Sequence, residues 1–360
     1  MAHRGRGKMS FMYLNEYFSK FYTGRRKGVY IVVSVAALLL FWIFVNGQRY
    51  QEAQWGNKRL KKQEYFKLAS CKGVTSPDGL LCTQGVPRDI DNVELSVMIS
   101  LFSDPNKYLR HLLDGLIGQS IFCSKVPCET EILMVTDKRY IHNLRPDLLH
   151  TLDKFISSYP NAKVLILSRD PGLYSCWNIL IQTYASGRYL TNVNMDDSRD
   201  PFSWETKIKF LNMHSQISVV SSAVAVVGSL CSWEEYHAQP LQERTIWFGY
   251  LSDQNIDTNS FFQNDGQPHN FPHNSPMWRK SIHRQCGYFD PEVSPYSDYH
   301  LWIKCCSLGV RFAVLPSTLE IYYRNHASYG RTTRVDPDQD AKALYIQYGG
   351  EMSVPCGLNS

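Results

Sequence analysis

The stretch AKVLILSRDPGLYSCWNILIQTYASGRYLTNVNMDD, residues 162–197, decides the fold class. Its first segment, 162–168, is a short apolar run typical of a buried β-strand. Residues 176–185 follow as a predicted helix, and 189–193 form a second apolar run that ends in the letters NMDD. A strand, a helix and a strand in this order predict a crossover unit on a parallel sheet.

The same alternation extends to both sides of this stretch. Upstream, residues 93–102 and 131–135 are predicted strands, and residues 107–117 and 146–158 are predicted helices. Downstream, the valine- and serine-rich run 217–230 is too short to favour a membrane span and predicts another buried strand. The chain is therefore expected to contain an α/β domain.

The predicted strands end in acidic residues. These residues are Asp104, Asp137, Asp170, Asp196 and Asp197. Ligands of open α/β sheets bind outside the carboxyl ends of the strands, and carboxylates are ligands of divalent cations. The pattern predicts a ligand site with a divalent cation at this edge. The alternative is that the acidic residues are solvated caps of turns and helices.

A membrane segment is predicted near the N-terminus. Residues 28–45, GVYIVVSVAALLLFWIFV, carry no charge and can just cross a hydrocarbon core of about 30 Å as a helix. The basic cluster at 25–27 and the absence of a cleavage site favour a signal anchor over a signal peptide or a buried core helix. That cluster also favours a cytosolic tail. The reverse orientation stays open, because four basic residues lie within 58–62.

Charge divides the chain close to this segment. Residues 1–62 hold 12 Lys and Arg against 2 Asp and Glu, whereas residues 63–360 hold 26 against 31. A mildly acidic globular part argues against a surface that binds nucleic-acid phosphates. The predicted segments are a cytosolic tail (1–27), a transmembrane signal anchor (28–46), a stem (47–90), a globular domain (91–335) and a C-terminal tail (336–360).

Ten cysteines are compatible with disulfide bonds in an oxidising lumen. The pairs close in sequence are Cys71 with Cys82 and Cys123 with Cys128, and either pair could be a disulfide. Residues 305 and 306 are adjacent cysteines in a predicted helix, where buried thiols are expected.

Two segments carry a resemblance to a known family. Residues 169–197 combine a Gly-Leu-x-x-x-x-Asn helix, a Gly-x-Tyr turn and the NMDD end. Residues 276–304, PMWRKSIHRQCGYFDPEVSPYSDYHLWIK, combine a Gly-x-Phe-Asp motif with an aspartate at the start of an aromatic-rich helix. Over about residues 93–330, the chain resembles the family 2 glycosyltransferases of the GT-A fold. The resemblance implies a Rossmann-like, mixed, mainly parallel sheet flanked by helices.

For the sugar donor, the resemblance implies a nucleotide-sugar site with a divalent metal, Mn²⁺ or Mg²⁺. Asp137 would meet the uridine, and Asp196 would be the main metal ligand. Asn194 stands where the family has the first acid of Asp-x-Asp, so we expect weaker metal binding. His326 lies on a segment that often closes over the diphosphate and metal, with a plain loop histidine as the alternative. The other implied nucleotide-sugar contacts are Asp104 and Asn178.

For the acceptor, the resemblance places the catalytic base at Asp298, with Ser297 in place of the commoner glutamate. A plain helix N-cap is the alternative for Asp298. The aromatic residues predicted to lie near the acceptor are Trp278, Tyr299 and Trp302. For the tryptophans, ordinary core packing is the alternative.

These roles imply an inverting hexosyl- or N-acetylhexosaminyltransferase, anchored as a single-pass type II protein in the Golgi or ER membrane. It would transfer a sugar from a nucleoside-diphosphate sugar, expected to be a UDP-sugar, to a hydroxyl of a glycan, glycoprotein or glycolipid. The main alternative is a non-catalytic nucleotide-sugar-binding relative in which Asn194 has abolished the metal chemistry. A retaining enzyme also stays open. A nucleotidyltransferase is disfavoured, because the turn at 103–106 is acidic and lacks a basic pyrophosphate loop.

Overall fold

The structure is a computed structural model that describes eleven ranges of the chain. The described residues are 74–76, 79–83, 93–102, 104–122, 129–159, 161–239, 246–247, 256–261, 269–272, 276–293 and 296–323. All of them lie in the compact unit Lys62–Ser360. None of the helices in these ranges has the length and apolar character needed to cross a membrane, and the predicted anchor 28–46 lies outside them.

The strands of the described residues form one sheet. They are β1 (Val74–Ser76), β2 (Gly79–Thr83), β3 (Leu95–Ser100), β4 (Thr130–Asp137), β5 (Ala162–Leu167), β6 (Tyr189–Val193), β7 (Ser198–Arg199), β8 (Val219–Val227), β9 (Ile246–Trp247), β10 (Met277–Arg279) and β11 (Phe312–Tyr323). Their order across the sheet is β1-β2-β5-β4-β3-β6-β10-β8-β11-β7, and β9 pairs with β8.

The sheet is mixed, with a parallel centre. Strands β5, β4, β3 and β6 run parallel, and so do β8 and β11. Strand β10 lies antiparallel between β6 and β8. Strand β4 is buried along its whole length, as expected where helices cover both faces of a parallel sheet.

Helices pack on both faces of the sheet. They are α1 (Pro105–Ile117), α2 (Lys138–Asn143), α3 (Pro146–Ser158), α4 (Leu173–Ile179), α5 (Ser203–Met213), α6 (Trp233–Ala238), α7 (His283–Cys286) and α8 (Ser297–Ser307). Residues of α1, α3 and α5 share one hydrophobic core, and residues of α4 and α8 share the other. The described residues thus form three layers, with the sheet between two layers of helices.

The predicted elements are confirmed with small shifts. The four central strands are β3 to β6, the run 217–230 contains β8, and the predicted helix 146–158 is α3. The predicted helix 176–185 begins earlier, at Leu173, and continues as the π-helix Leu180–Tyr184. Strand β2 falls within the predicted stem but pairs antiparallel with β5, so the sheet includes residues that the sequence assigned to the stem.

Candidate active site at the carboxyl edge of the sheet

The strand order reverses beside β3. Strands β4 and β5 follow on one side of β3, and β6 lies on the other side. Such a switch point leaves a crevice outside the carboxyl ends of the strands, where α/β sheets bind ligands. The predicted acidic residues at the ends of β3, β4, β5 and β6 lie at this edge.

Asp137 ends β4 and caps α2. Its Oδ1 accepts a 2.8 Å hydrogen bond from the Tyr140 N–H, and its Oδ2 accepts two bonds from the Arg139 guanidinium, at 2.8 and 3.0 Å. Burial opposes ionisation, but these bonds outweigh it, so the pKa of Asp137 is lowered. Asp137 is therefore an ionised carboxylate held by its own turn. Its contact with a nucleotide stays a prediction.

Asp104, which follows β3, caps α1 with an exposed carboxylate that accepts a 3.1 Å hydrogen bond from the Asn106 N–H. The Asn106 side chain connects this turn to the end of α2. It donates to the Asn143 carbonyl at 3.1 Å and accepts from the Arg145 N–H at 2.9 Å. The turns after β3 and β4 are thus fixed to each other.

The turn after β6 folds around Asp197, which is 3% exposed. Its Oδ2 accepts a 2.7 Å hydrogen bond from the Asn194 amide, and its Oδ1 accepts a 3.2 Å bond from the Tyr323 N–H at the end of β11. Burial, and then the neighbouring Asp196 carboxylate, raise the pKa of Asp197 above its ordinary range. Asp197 therefore holds this turn together, while Asp196 and Asn194 are half-buried beside it.

Tyr140 brings the ends of three strands together. Its hydroxyl lies 3.8 Å from the Met195 sulfur in the turn after β6. Burial, and then the Asp104 carboxylate, raise the pKa of Tyr140. The predicted nucleotide-sugar residues Asp104, Asp137 and Asp196 thus lie on turns that meet around one tyrosine.

His111 of α1 reaches the same turn, and no feature of the sequence marked it. Its Nε2 lies 3.0 Å from the Ser198 hydroxyl. That hydroxyl also donates to the Cys231 carbonyl at 2.8 Å. Burial, and then the Arg199 charge, lower the pKa of His111, which keeps the ring neutral at pH 7.

A buried ion network lies next to this turn. Glu320 Oε1 accepts hydrogen bonds from Lys207 Nζ and, at 2.6 Å, from the Ser203 hydroxyl. Glu320 Oε2 lies 3.4 Å from Arg199 Nε. Burial lowers the pKa of Lys207, although Glu320 opposes this. Two buried cations thus share one buried anion, and Arg199 also favours the ionised form of Asp197.

Asp298 lies half-buried in the first turn of α8. Its Oδ1 accepts a 2.9 Å hydrogen bond from the Tyr174 hydroxyl, and its Oδ2 accepts a 2.9 Å bond from the Asn270 amide. The helix begins after Tyr296 without a side-chain cap. The plain N-cap alternative for Asp298 is therefore wrong, because its carboxylate is held by two residues from outside α8.

Helix α4 connects Asp298 to the acidic edge. Tyr174 lies in its first turn, and Cys176 follows two residues later. Burial, and then the carboxylates of Asp170 and Asp137, raise the pKa of Cys176. Helix α4 therefore lies beside the ends of β4 and β5, and Tyr174 joins Asp298 to that edge.

Gly172 sets the start of α4. It has a φ of +92°, a conformation that other L-residues rarely adopt. Its N–H donates a 2.8 Å hydrogen bond to the Asp170 carboxylate. The glycine of the Gly-Leu motif is thus required for the turn that directs α4 away from β5.

Asn178, a predicted nucleotide-sugar contact, is bonded to the protein main chain. Its amide donates to the Phe289 carbonyl at 2.7 Å, and its side-chain carbonyl accepts from the Phe289 N–H at 3.1 Å. These bonds attach α4 to the Gly-x-Phe-Asp motif. The observed role of Asn178 is to position this loop, and its contact with a donor stays a prediction.

The three aromatic residues predicted to lie near the acceptor are core residues, so that prediction is corrected. Trp278, Tyr299 and Trp302 are each 1% exposed or less. The two indole rings pack edge to face with centroids 5.2 Å apart, and the Tyr299 hydroxyl donates to the Phe261 carbonyl at 2.6 Å. Their ring faces are covered by protein, which leaves none of them for stacking on a sugar.

The expectation of thiols at the adjacent cysteines of α8 is also corrected. Cys305 forms a disulfide with Cys286 of α7, with Cα atoms 5.3 Å apart, and Cys306 is disulfide-bonded as well. Cys176 and Cys231 are buried free thiols. The predicted pair Cys71–Cys82 depends on Cys71, which lies outside the described residues, and so do both cysteines of the predicted pair Cys123–Cys128.

The described residues alone do not enclose a metal ion. Among them, no three His, Cys, Asp or Glu side chains lie close enough to hold one. His326 lies outside the described residues. Two groups of the turn after β6 could bind a metal ion, the Asp196 carboxylate and the side-chain carbonyl of Asn194. The side-chain nitrogen of Asn194 donates to Asp197. This set fits a Mn²⁺ or Mg²⁺ ion that takes its other ligands from substrate phosphates and water.

Comparison with known proteins identifies the fold. No protein-family model matches the sequence, and no curated protein is significantly similar to it. Among solved structures, residues 1–349 of S. aureus TarS in complex with UDP-GlcNAc match with a TM-score of 0.51 and 15% identity, over 71% of this chain and 66% of that one. The match thus spans just under two thirds of the TarS chain. At this identity it shows the fold alone, a mixed α/β sheet with helices that resembles the GT-A fold.

A second solved structure is more distant. The mannosyltransferase PcManGT from Pyrobaculum calidifontis, in complex with GDP-Man and Mn²⁺, matches with a TM-score of 0.45 and 12% identity, over 78% of this chain and 68% of that one.

Proposed function

We propose that this chain is an inverting glycosyltransferase that moves a sugar from a nucleoside-diphosphate sugar to a hydroxyl group of a glycan, glycoprotein or glycolipid. The observation that carries the proposal is Asp298, a half-buried carboxylate held by Tyr174 and Asn270. Helix α4 joins it to the edge where the acidic strand ends meet. The fold shared with TarS, which was solved with UDP-GlcNAc, supports a UDP-sugar donor and a hexosyl or N-acetylhexosaminyl group.

The proposed chemistry is general-base catalysis by Asp298. Its carboxylate accepts the proton of the acceptor hydroxyl while that oxygen forms a bond to the anomeric carbon. The bond from the anomeric carbon to the diphosphate breaks, and its electron pair leaves with the diphosphate. Attack from the face opposite the leaving group inverts the anomeric carbon. Such a base contributes about 10²–10⁴-fold in rate.

Asp196 and Asn194 would hold a divalent cation, Mn²⁺ or Mg²⁺, together with the sugar diphosphate. One half-buried carboxylate and one amide carbonyl form a weak site, so we propose that the cation binds with the nucleotide sugar rather than before it. When bound, such a cation neutralises negative charge on the leaving diphosphate. His326 stays a predicted further contact.

We also propose a lumenal location, anchored in the Golgi or ER membrane by residues 28–46. The basic cluster at 25–27 supports a cytosolic N-terminal tail. The disulfide between Cys286 and Cys305 supports an oxidising compartment, because such bonds are rare in the cytosol.

A specific contact favours the second candidate, a nucleotide-sugar-binding protein without catalysis. Asn194 replaces an acidic residue and donates to Asp197, which leaves fewer charged ligands for a metal. Binding of a nucleotide sugar by itself would be compatible with either function. Transfer or hydrolysis of the sugar would be compatible only with the enzyme.

The proposal is tested with the full-length chain in detergent, Mn²⁺, and a panel of UDP-glucose, UDP-galactose, UDP-GlcNAc and GDP-mannose. We expect release of the nucleotide from at least one donor, with a loss of about 10²-fold or more in Asp298→Asn. Asp114→Asn, which changes an exposed carboxylate of α1, is the matched control and should retain wild-type turnover. Donor binding without turnover, unaffected by Asp298→Asn, would establish the non-catalytic alternative.

A further inference from the structure

We propose that Tyr174 and Asn270 are positioning residues that orient the Asp298 carboxylate for catalysis. The inference rests on the proposed function, because it assigns a role to the neighbours of the proposed base. Neither residue was marked by the sequence, and they lie 124 and 28 positions from Asp298.

Two hydrogen bonds fix the orientation of the Asp298 carboxylate. Each carboxylate oxygen receives one donor, the Tyr174 hydroxyl on Oδ1 and the Asn270 amide on Oδ2, both at 2.9 Å. Donors on both oxygens restrict rotation of the carboxylate plane. Each carboxylate oxygen can accept a second hydrogen bond, which leaves acceptor capacity for a substrate hydroxyl.

The Tyr174 hydroxyl is held in place by packing. The side chain is 5% exposed, and its ring stacks on Phe289 at 5.7 Å and meets Trp177 edge to face at 5.4 Å. Phe289 is in turn bonded through its main chain to Asn178. A ring fixed on both sides can present its hydroxyl to only a narrow range of carboxylate positions.

The side-chain amide of Asn270 points its nitrogen at Asp298, and this orientation leaves its oxygen unsatisfied among the described residues. Its Nδ2 donates to Asp298, while its Oδ1 is buried and has no hydrogen-bond partner among the described residues. An unsatisfied buried acceptor is rare in native proteins and is typical of functional sites. The contact with Asp298 is therefore the interaction that sets the orientation of this amide.

Other titratable groups near Asp298 are engaged elsewhere. His269, next to Asn270, has its Nδ1 3.1 Å from the Ser260 carbonyl. On α8, the Tyr299 hydroxyl donates to the Phe261 carbonyl. Burial lowers the pKa of His300, and the charges of Asp290 and Lys304 act on it in opposite directions. Among the described residues, the Asp298 carboxylate is hydrogen-bonded to Tyr174 and Asn270.

The test uses full-length Tyr174→Phe and Asn270→Asp and follows donor turnover, by nucleotide release, as separate values of kcat and donor KM. Tyr174→Phe keeps the packed ring and removes only the hydroxyl. Asn270→Asp keeps the shape but places a second carboxylate beside the first. Tyr189→Phe is the matched control, because its buried hydroxyl accepts from Arg279 and donates to Asn212 at the other end of β6.

We expect Tyr174→Phe to lower kcat about tenfold with little change in donor KM, because the base loses one of the donors that orient it. Asn270→Asp should lower kcat further, because it replaces a donor with a second carboxylate, again with little change in donor KM. Tyr189→Phe should keep the wild-type kcat. Wild-type kcat in both Tyr174→Phe and Asn270→Asp, while Asp298→Asn is inactive, would overturn the inference and leave the proposed function intact. Wild-type turnover in Asp298→Asn would instead overturn the base assignment itself.

Discussion

The side-chain amide of Asn194 donates a 2.7 Å hydrogen bond to the carboxylate of Asp197, and this contact closes the turn after β6. This neutral residue, which stands where the family that the sequence resembles has an acid, is therefore part of how this turn holds its shape. Asp197 uses its other oxygen to bind the end of β11. The half-buried Asp196 is then the carboxylate proposed to carry metal binding.

Asn194→Asp is expected to destabilise the metal-free protein and to make it responsive to Mn²⁺. The change replaces a donor with a second carboxylate beside Asp197, at a cost of about 1–3 kcal/mol, and adds a charged oxygen ligand. Thermal unfolding with and without Mn²⁺ measures both effects. Asn212→Asp, whose amide donates to Glu94 at the opposite edge of the sheet, is the control. An equal Mn²⁺ response in wild type and Asn194→Asp would contradict the prediction.

Glu320→Gln should be among the most destabilising single changes in the described residues. Glu320, Lys207 and Arg199 are each 5% exposed or less, so the change removes the buried negative charge that two buried cations share. Removing one partner from a buried pair costs about 3–5 kcal/mol. Urea unfolding would measure the loss. Asp147→Asn, which breaks the exposed pair with Arg145, should stay close to wild type, and an equal effect of the two changes would rule out this account of the network.

Much of the central fold could be predicted, because β3, β4, β5 and β6 are short apolar runs and a helix follows each of the first three. Strands β7, β9 and β10 have only two or three residues each, too few to show a period. The long strand β11 contains a proline and register shifts, so its pattern does not alternate cleanly. These strands became evident only from the pairing of the sheet.

The candidate site, too, could be predicted from the sequence only in part. Acidic strand ends could be predicted to meet, because parallel strands end at one edge. The contacts of Asp298 could not, since Tyr174 lies 124 positions away in sequence. The sequence predicts Trp278 and Trp302 near the acceptor, because a sequence does not distinguish an aromatic ring in the core from one in a cleft.

The stability that Asp137 provides should depend on pH. Hydrogen bonds from Tyr140 and Arg139 lower its pKa below the ordinary 3.8. A lowered folded-state pKa contributes stability above pH 3.8, and that contribution is lost as the pH falls through the folded-state value. Asp137→Ala should therefore cost about 0.5–2 kcal/mol at pH 7 and less at pH 3. Urea unfolding at the two pH values checks this, with Asp114→Ala as the control. A cost that is the same at both values would contradict it.

Gly187→Ala should destabilise the start of β6 through a backbone clash. A Cβ atom at this position would lie 2.5 Å from the Ser96 nitrogen on β3, which is too close for the two parallel strands to keep their register. Crowding of this kind costs about 1–3 kcal/mol. Gly115→Ala on α1 is the matched control, since nothing lies within 4 Å of its added carbon. Equal stability of Gly187→Ala and Gly115→Ala in thermal unfolding would disprove the close approach.

The most direct test of the account is an experimental structure of the full-length chain with a bound nucleotide sugar and Mn²⁺. We predict that the diphosphate lies beside Asp196, at the crevice between β3 and β6, with the anomeric carbon facing Asp298 and the nucleotide near Asp137. A donor bound elsewhere on the protein, or one whose anomeric carbon is turned away from Asp298, would contradict the central claim that these three carboxylates serve one site.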